Sequence, residues 1–73
     1  MYGKRLRAAR KRANMTLEQV AQSMNTSYTT ISRYENEKRQ VDPAAMTAFC
    51  TLYQVSADYI LGLPKDLPYP DEN

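Results

Sequence analysis

The stretch "MTLEQVAQSMNTSYTTISRYE", residues 15–35, constrains the fold more than any other part of the chain. Thr16 and Gln19 form the S/T-x-x-E/Q capping-box signature, and Met15 and Val20 stand at the spacing of a hydrophobic staple. Val20, Ala21 and Met24 supply an inward face. Asn25, a residue that tolerates left-handed backbone angles, closes a helix over about residues 17–24. Only "NTS" separates that stop from the next helix start, with Thr26 or Ser27 as N-cap. Any fold for this chain must accommodate two short helices joined by a three-residue turn.

The second of these helices, about residues 28–35, is made of mediocre helix formers, so propensity alone does not hold it. On a helical wheel Thr30, Ile31, Tyr34 and Glu35 share one arc, while Tyr28, Thr29, Ser32 and Arg33 share the other. Ile31 and Tyr34 are the expected core anchors. Upstream, Leu6, Ala9, Arg10 and Ala13 recur at helical spacing over about residues 3–13, which puts Arg10 on an apolar stripe. A guanidinium there needs an acid, because removing it from water unpaired costs several kcal/mol. Glu35, at the edge of the inward arc, is the expected partner in a structural ion pair.

The rest of the chain is also helical in pattern. Asp42 caps a helix beginning at Pro43, with Met46, Phe49, Cys50 and Tyr53 inward over about 43–53. Ser56, Ile60, Leu61 and Gly62 mark a short fifth helix and its end. The fold class expected is therefore all-α, a compact five-helix domain over residues 1–63. Residues 64–73, with three prolines, read as an acidic tail or the start of a linker.

At 73 residues there is little room for a catalytic cavity of the usual size. There is no histidine, which removes the commonest general base and metal ligand. The single cysteine, Cys50, allows no internal disulfide and is read as a small core residue. No enzyme, metal, cofactor or small-molecule ligand is expected. A tyrosine-recombinase nucleophile is excluded by the missing histidine and the short chain. Apolar runs of a few residues cannot span a membrane, and the basic N-terminus lacks the apolar core of a signal peptide. A membrane-surface role for that segment is disfavoured by its alanine-rich apolar face. The default location is cytoplasmic.

Charge is unevenly distributed. Lys4, Arg5, Arg7, Arg10, Lys11 and Arg12 give residues 1–13 a charge of +6. In residues 41–73, Lys65 stands against Asp42, Asp58, Asp66, Asp71 and Glu72, giving −4. One positive face meeting a polyanion is the functional reading, and a solvated basic helix is the plainer one. The two short helices decide between them. Joined by a tight turn, with polar side chains exposed on the second, they form a helix-turn-helix. The major groove of DNA admits a helix, and Arg, Tyr, Ser and Thr can meet base edges and thymine methyls there.

"MTLEQVAQSMNTSYTTISRYENEKR" resembles the core motif of the lambda repressor/Cro-like (Xre-type) helix-turn-helix family, in the style of prophage and mobile-element repressors. "LYQVSADYILGL" is similar to the family's ending and "RLRAARKRANMT" to its opening, so the resemblance covers about residues 3–63. It implies a lambda-repressor-like domain that binds double-stranded operator DNA, usually as a homodimer on a palindrome. By position, Tyr28, Thr29 and Arg33 would read bases, with Ser32 beside them. Thr16, Ser27, Asn36, Lys38 and Arg39 would approach phosphates. The family also commonly pairs the equivalents of Arg10 and Glu35. Three positions depart from its pattern. Leu17 replaces a glutamine, so a common backbone contact is lost, and Asn25 replaces the turn glycine. Glu37 replaces the glycine after the third helix, so either Asn36 takes the left-handed angle or the helix runs on. The expected function is a transcriptional regulator, most simply a repressor. The alternative is a protein-interaction module, an antitoxin or adaptor, using the same helices as a scaffold. The plainer reading of Arg33 is a solvated residue paired with Glu37 at i, i+4, and its place on the exposed arc favours DNA contact.

Overall fold

The computed structural model of the protein describes residues 2–71. Residue 1 and residues 72–73, the outer ends of the expected domain and tail, lie outside the described residues. Five helices follow one another: α1 (Gly3–Arg12), α2 (Leu17–Ser23), α3 (Tyr28–Glu35), α4 (Pro43–Tyr53) and α5 (Ala57–Leu61), with no strand among the described residues. The fold is all-α, as the sequence pattern implies.

Local chemistry starts four of these helices. The Thr16 hydroxyl accepts from the Gln19 N–H at 3.1 Å while the Gln19 side chain accepts from the Thr16 N–H at 2.8 Å, a complete capping box. Ser27, Asp42 and Ser56 cap α3, α4 and α5 through their side chains, each replacing a missing intrahelical partner at about 1 kcal/mol. Pro43 occupies the first turn of α4, where its absent N–H costs nothing.

The first three helices end on one repeated device. Beyond α2, the Thr26 N–H donates to the Ala21 carbonyl and the Asn25 N–H to that of Gln22, with Asn25 left-handed at φ 55°. This is the Schellman closure. Asn14, at φ 58°, closes α1 in the same way. After α3 the pattern recurs, with Lys38 donating to Arg33 and Glu37 to Tyr34, and Glu37 itself left-handed at φ 61°. Neither alternative read from the sequence holds. Asn36 stays right-handed at φ −96°, and the helix stops at Glu35. Two hydrogen bonds to orphan carbonyls offset the cost of a Cβ in this conformation.

The core is Leu6, Ala9, Val20, Ala21, Ile31, Tyr34, Phe49, Tyr53 and Ile60, contributed by all five helices. Met15, Leu17, Met24, Met46 and Cys50 pack around it, half-buried. Tyr34 meets Phe49 edge-on at 5.3 Å, and Phe49 stacks on Tyr53 at 5.7 Å. Aromatic pairs in these geometries add about 0.5–1.5 kcal/mol each beyond the area they bury. Burial pushes the Cys50 thiol above its ordinary pKa, which disfavours the reactive thiolate.

At its N-terminal end α1 touches α3 backbone to backbone. A Cβ on Gly3 would collide with the Glu35 carbonyl oxygen and lie 2.7 Å from its carbon. Glycine is therefore required by close approach. The contact puts the start of the basic helix against the last residue of α3.

Candidate nucleic-acid interface

Helix α3 is held from its inner side. Ile31 is fully buried and Tyr34 nearly so, and burial of a residue such as Ile31 contributes about 1.5–3 kcal/mol. Glu35, with its side chain 3% exposed, accepts from Arg10 Nε at 2.7 Å and Nη2 at 3.1 Å in a two-pronged pair. The remaining nitrogen, Nη1, donates to the Met15 carbonyl at 3.0 Å, tying down the loop before α2. The Glu35 hydrogen bonds hold the Arg10 guanidinium more firmly protonated than usual, against the opposing effect of burial. One arginine thus fixes the end of α3, the end of α1 and the entry to α2.

Arg7 makes a second connection. Its Nε lies 3.4 Å from Glu35 Oε1, and its Nη2 donates to Asn36 Oδ1 at 3.1 Å. Asn36 in turn donates through Nδ2 to the Ser32 carbonyl at 2.9 Å and the Ser32 hydroxyl at 3.2 Å. Beneath this cluster lies the Tyr53 hydroxyl, buried and without a hydrogen-bond partner among the described residues. Burial first, then the Glu35 carboxylate, raises its pKa above the usual phenol value, while the Arg10 charge offsets part of the rise.

The outer arc is open. Tyr28 is 50% exposed, Thr29 and Arg33 are exposed, and Ser32 is half-buried between them. The Arg33 side chain makes no hydrogen bond or ion pair among the described residues, so nothing draws its charge inward. Thr16 and Ser27 are exposed caps at the starts of α2 and α3, and Ser27 also exchanges a hydroxyl contact with Thr30 at 2.9 Å. Lys38 and Arg39 are exposed just past α3, and Arg39 lies over the Tyr34 ring at 5.3 Å. Tyr28, Thr29, Ser32 and Arg33 thus share the outer arc of α3, while Lys38 and Arg39 follow in the loop beyond it, Arg39 on the side of the inward-facing Tyr34. Asn36 differs from the other phosphate candidates, because both ends of its amide are engaged within the protein.

Sequence reasoning did not single out Gly3 or Arg7, and it read Tyr53 only as an inward core residue and Arg5 only as part of the basic face. Gly3 and Tyr53 are structural. Arg7 reads as one charge of a basic face, yet it reaches α3. Arg5 donates to the Tyr59 carbonyl at 3.1 Å and lies over the Tyr59 ring at 5.3 Å, fastening α1 to α5. The only signal for these arginines was the density of cations in α1, which does not say which of them turn inward.

Two short helices locked by a tight turn, the second presenting a polar outer arc, define a helix-turn-helix domain. The model of the helix-turn-helix domain family matches residues 2–60, and the chain belongs to that family, in its lambda repressor/Cro-like form. It is similar to "HTH-type transcriptional regulator ImmR" of Bacillus subtilis (strain 168), 38% identical over 60 residues that cover 82% of this chain and 47% of that protein. It is also similar to "Uncharacterized HTH-type transcriptional regulator YobD" of the same organism, 38% identical over 66 residues covering 90% of this chain and 59% of that one. The chain spans about half the length of the curated relatives it matches.

Proposed function

We propose that the chain is the DNA-binding part of a sequence-specific transcriptional regulator. Helix α3 enters the major groove of double-stranded DNA, where Tyr28, Thr29, Ser32 and Arg33 read base edges. Thr16, Ser27, Lys38 and Arg39 hold flanking phosphates, supplying affinity that does not depend on sequence. The observation that carries this reading is the contrast across α3, whose inner arc is fixed by core and ion pair while its outer arc is polar and open. Names of relatives as transcriptional regulators support it.

In finer detail, the regulator acts as a repressor by occupying a promoter in the cytoplasm. It forms a homodimer, at least on DNA, that binds a palindrome with half-sites about 34–36 Å apart. Leu61 and Leu63, exposed at the end of α5, offer apolar contact for pairing. Exposed Leu67 and Tyr69 in the tail favour a second reading, docking on another protein with the helix-turn-helix as scaffold. Selection from a randomised duplex pool at several salt concentrations tests the proposal. Recovery of a palindrome with steep salt dependence supports the regulator, and no enrichment at low salt rejects it in favour of the docking module.

A further inference from the structure

The Arg7–Asn36–Ser32 connection has a fixed direction. A carbonyl cannot donate, so the Asn36 group 2.9 Å from the Ser32 carbonyl must be the amide nitrogen. A guanidinium cannot accept, so the group 3.1 Å from Arg7 Nη2 must be the amide oxygen. These two partners together leave only one orientation of the Asn36 amide. The same nitrogen faces the Ser32 hydroxyl oxygen at 3.2 Å, and that oxygen is therefore an acceptor toward Asn36. The Ser32 proton must point elsewhere. Serine within a helix often spends its proton on the carbonyl four residues back, but no such bond to Tyr28 is made here.

We infer that Asn36 is a positioning residue that occupies one acceptor site of the Ser32 hydroxyl and so turns its proton outward, as a donor toward DNA. This rests on α3 being the DNA-reading helix. The chain begins at a permanent cation, and each bond polarises the next, strengthening it by roughly 10–30%. The amide of Asn36 is spent inside the protein and does not itself hold a phosphate. The matching chemistry on the DNA is a bare acceptor. On a base edge this is a purine N7, guanine O6 or thymine O4, whereas cytosine presents only a donor in the major groove. A phosphate oxygen is the other source of the same chemistry.

A double-mutant cycle on the selected operator, with every single-base variant, tests the inference. Ser32→Ala and Asn36→Ala each lower affinity by roughly three- to tenfold, the range of one hydrogen bond. Asn36→Ala costs nothing further once Ser32 is alanine. If the acceptor is a base, both variants lose discrimination against cytosine at the same single position. If it is a phosphate, both lose affinity equally on all sequences, still without adding. Arg7→Lys, which keeps the charge but not the fork, reproduces a weaker form of the same change and serves should Asn36→Ala melt early. The inference is overturned if the Ser32 and Asn36 losses add, because Asn36 then acts on DNA or on the fold by itself. Failure of the unaltered chain to select any sequence would overturn the proposed function and this inference together.

Discussion

Arg10 on α1 and Arg33 on α3 differ most by what surrounds them. Arg10, its side chain 12% exposed, spends three nitrogens on Glu35 and Met15. Arg33 stands exposed on the opposite side of the helix that Arg10 secures. The same side chain serves first as a structural pin and then as a free cation. The difference teaches how so small a domain presents a recognition surface. Rigidity enters α3 from behind, through Ile31, Tyr34 and Glu35, so the outer arc needs no intrinsic helix preference and is left for contacts.

The comparison breaks most visibly at the pair itself. Arg10→Ala leaves the Glu35 carboxylate buried beside the weaker Arg7 contact, and removing one member of such a pair costs about 3–5 kcal/mol. Urea denaturation followed by circular dichroism should show a domain largely unfolded near neutral pH. Retention of most of the stability would mean that α3 is not pinned in this way. Next in size is Gly3→Ala, which forces a methyl against the Glu35 carbonyl. The overpacking should cost about 1–3 kcal/mol, read as a lower midpoint in the same titration.

A smaller effect, opposite in sign, is expected at Glu37. Glycine there relieves a left-handed Cβ, a strain of about 1–2 kcal/mol offset in part by glycine's greater entropy in the unfolded chain. Glu37→Gly should raise the melting temperature, and should also tighten DNA binding by removing a negative charge beside Lys38. A lower melting temperature would show that the Glu37 side chain contributes more than its backbone strain costs. The smallest effect at neutral pH is Tyr53→Phe, which removes a buried hydroxyl that finds no hydrogen-bond partner among the described residues. Its consequence is alkaline. With a folded pKa raised above the unfolded value of 10.0, Tyr53 contributes stability that is present below pH 10 and declines as pH rises above it, because only the unfolded chain then releases the proton. Phenylalanine should flatten that part of the decline in a pH series of melts.

Most of the fold was legible because its signals are local. Capping box, Asp42–Pro43, Ser56 and Gly62 each mark a boundary within a few residues. The Arg10–Glu35 pairing was legible for a different reason, since a cation on an apolar stripe demands an acid. Contacts that join distant backbone were not legible. A glycine in the first turn of α1 reads as a loose start until Glu35 is known to lie against it. Arg5 and Arg7 fall on a basic face whose helical spacing gives no hint that α5 and Asn36 reach them. At Glu37 the expectation was either a left-handed Asn36 or a longer helix, because glutamate is an unusual left-handed residue. The two backbone hydrogen bonds that close α3 when Glu37 itself turns left-handed account for the difference.

The central claim is that the outer arc of α3 reads DNA while contributing little to the fold. Arg33→Ala, measured for affinity against every single-base variant of the selected operator and in parallel for thermal unfolding, tests it directly. The account predicts stability within about 0.5 kcal/mol of the unaltered chain. It also predicts a loss of about 1–3 kcal/mol concentrated at one base pair, with specificity relaxed there. Equal losses on operator and random DNA, or a clear fall in melting temperature, would contradict it.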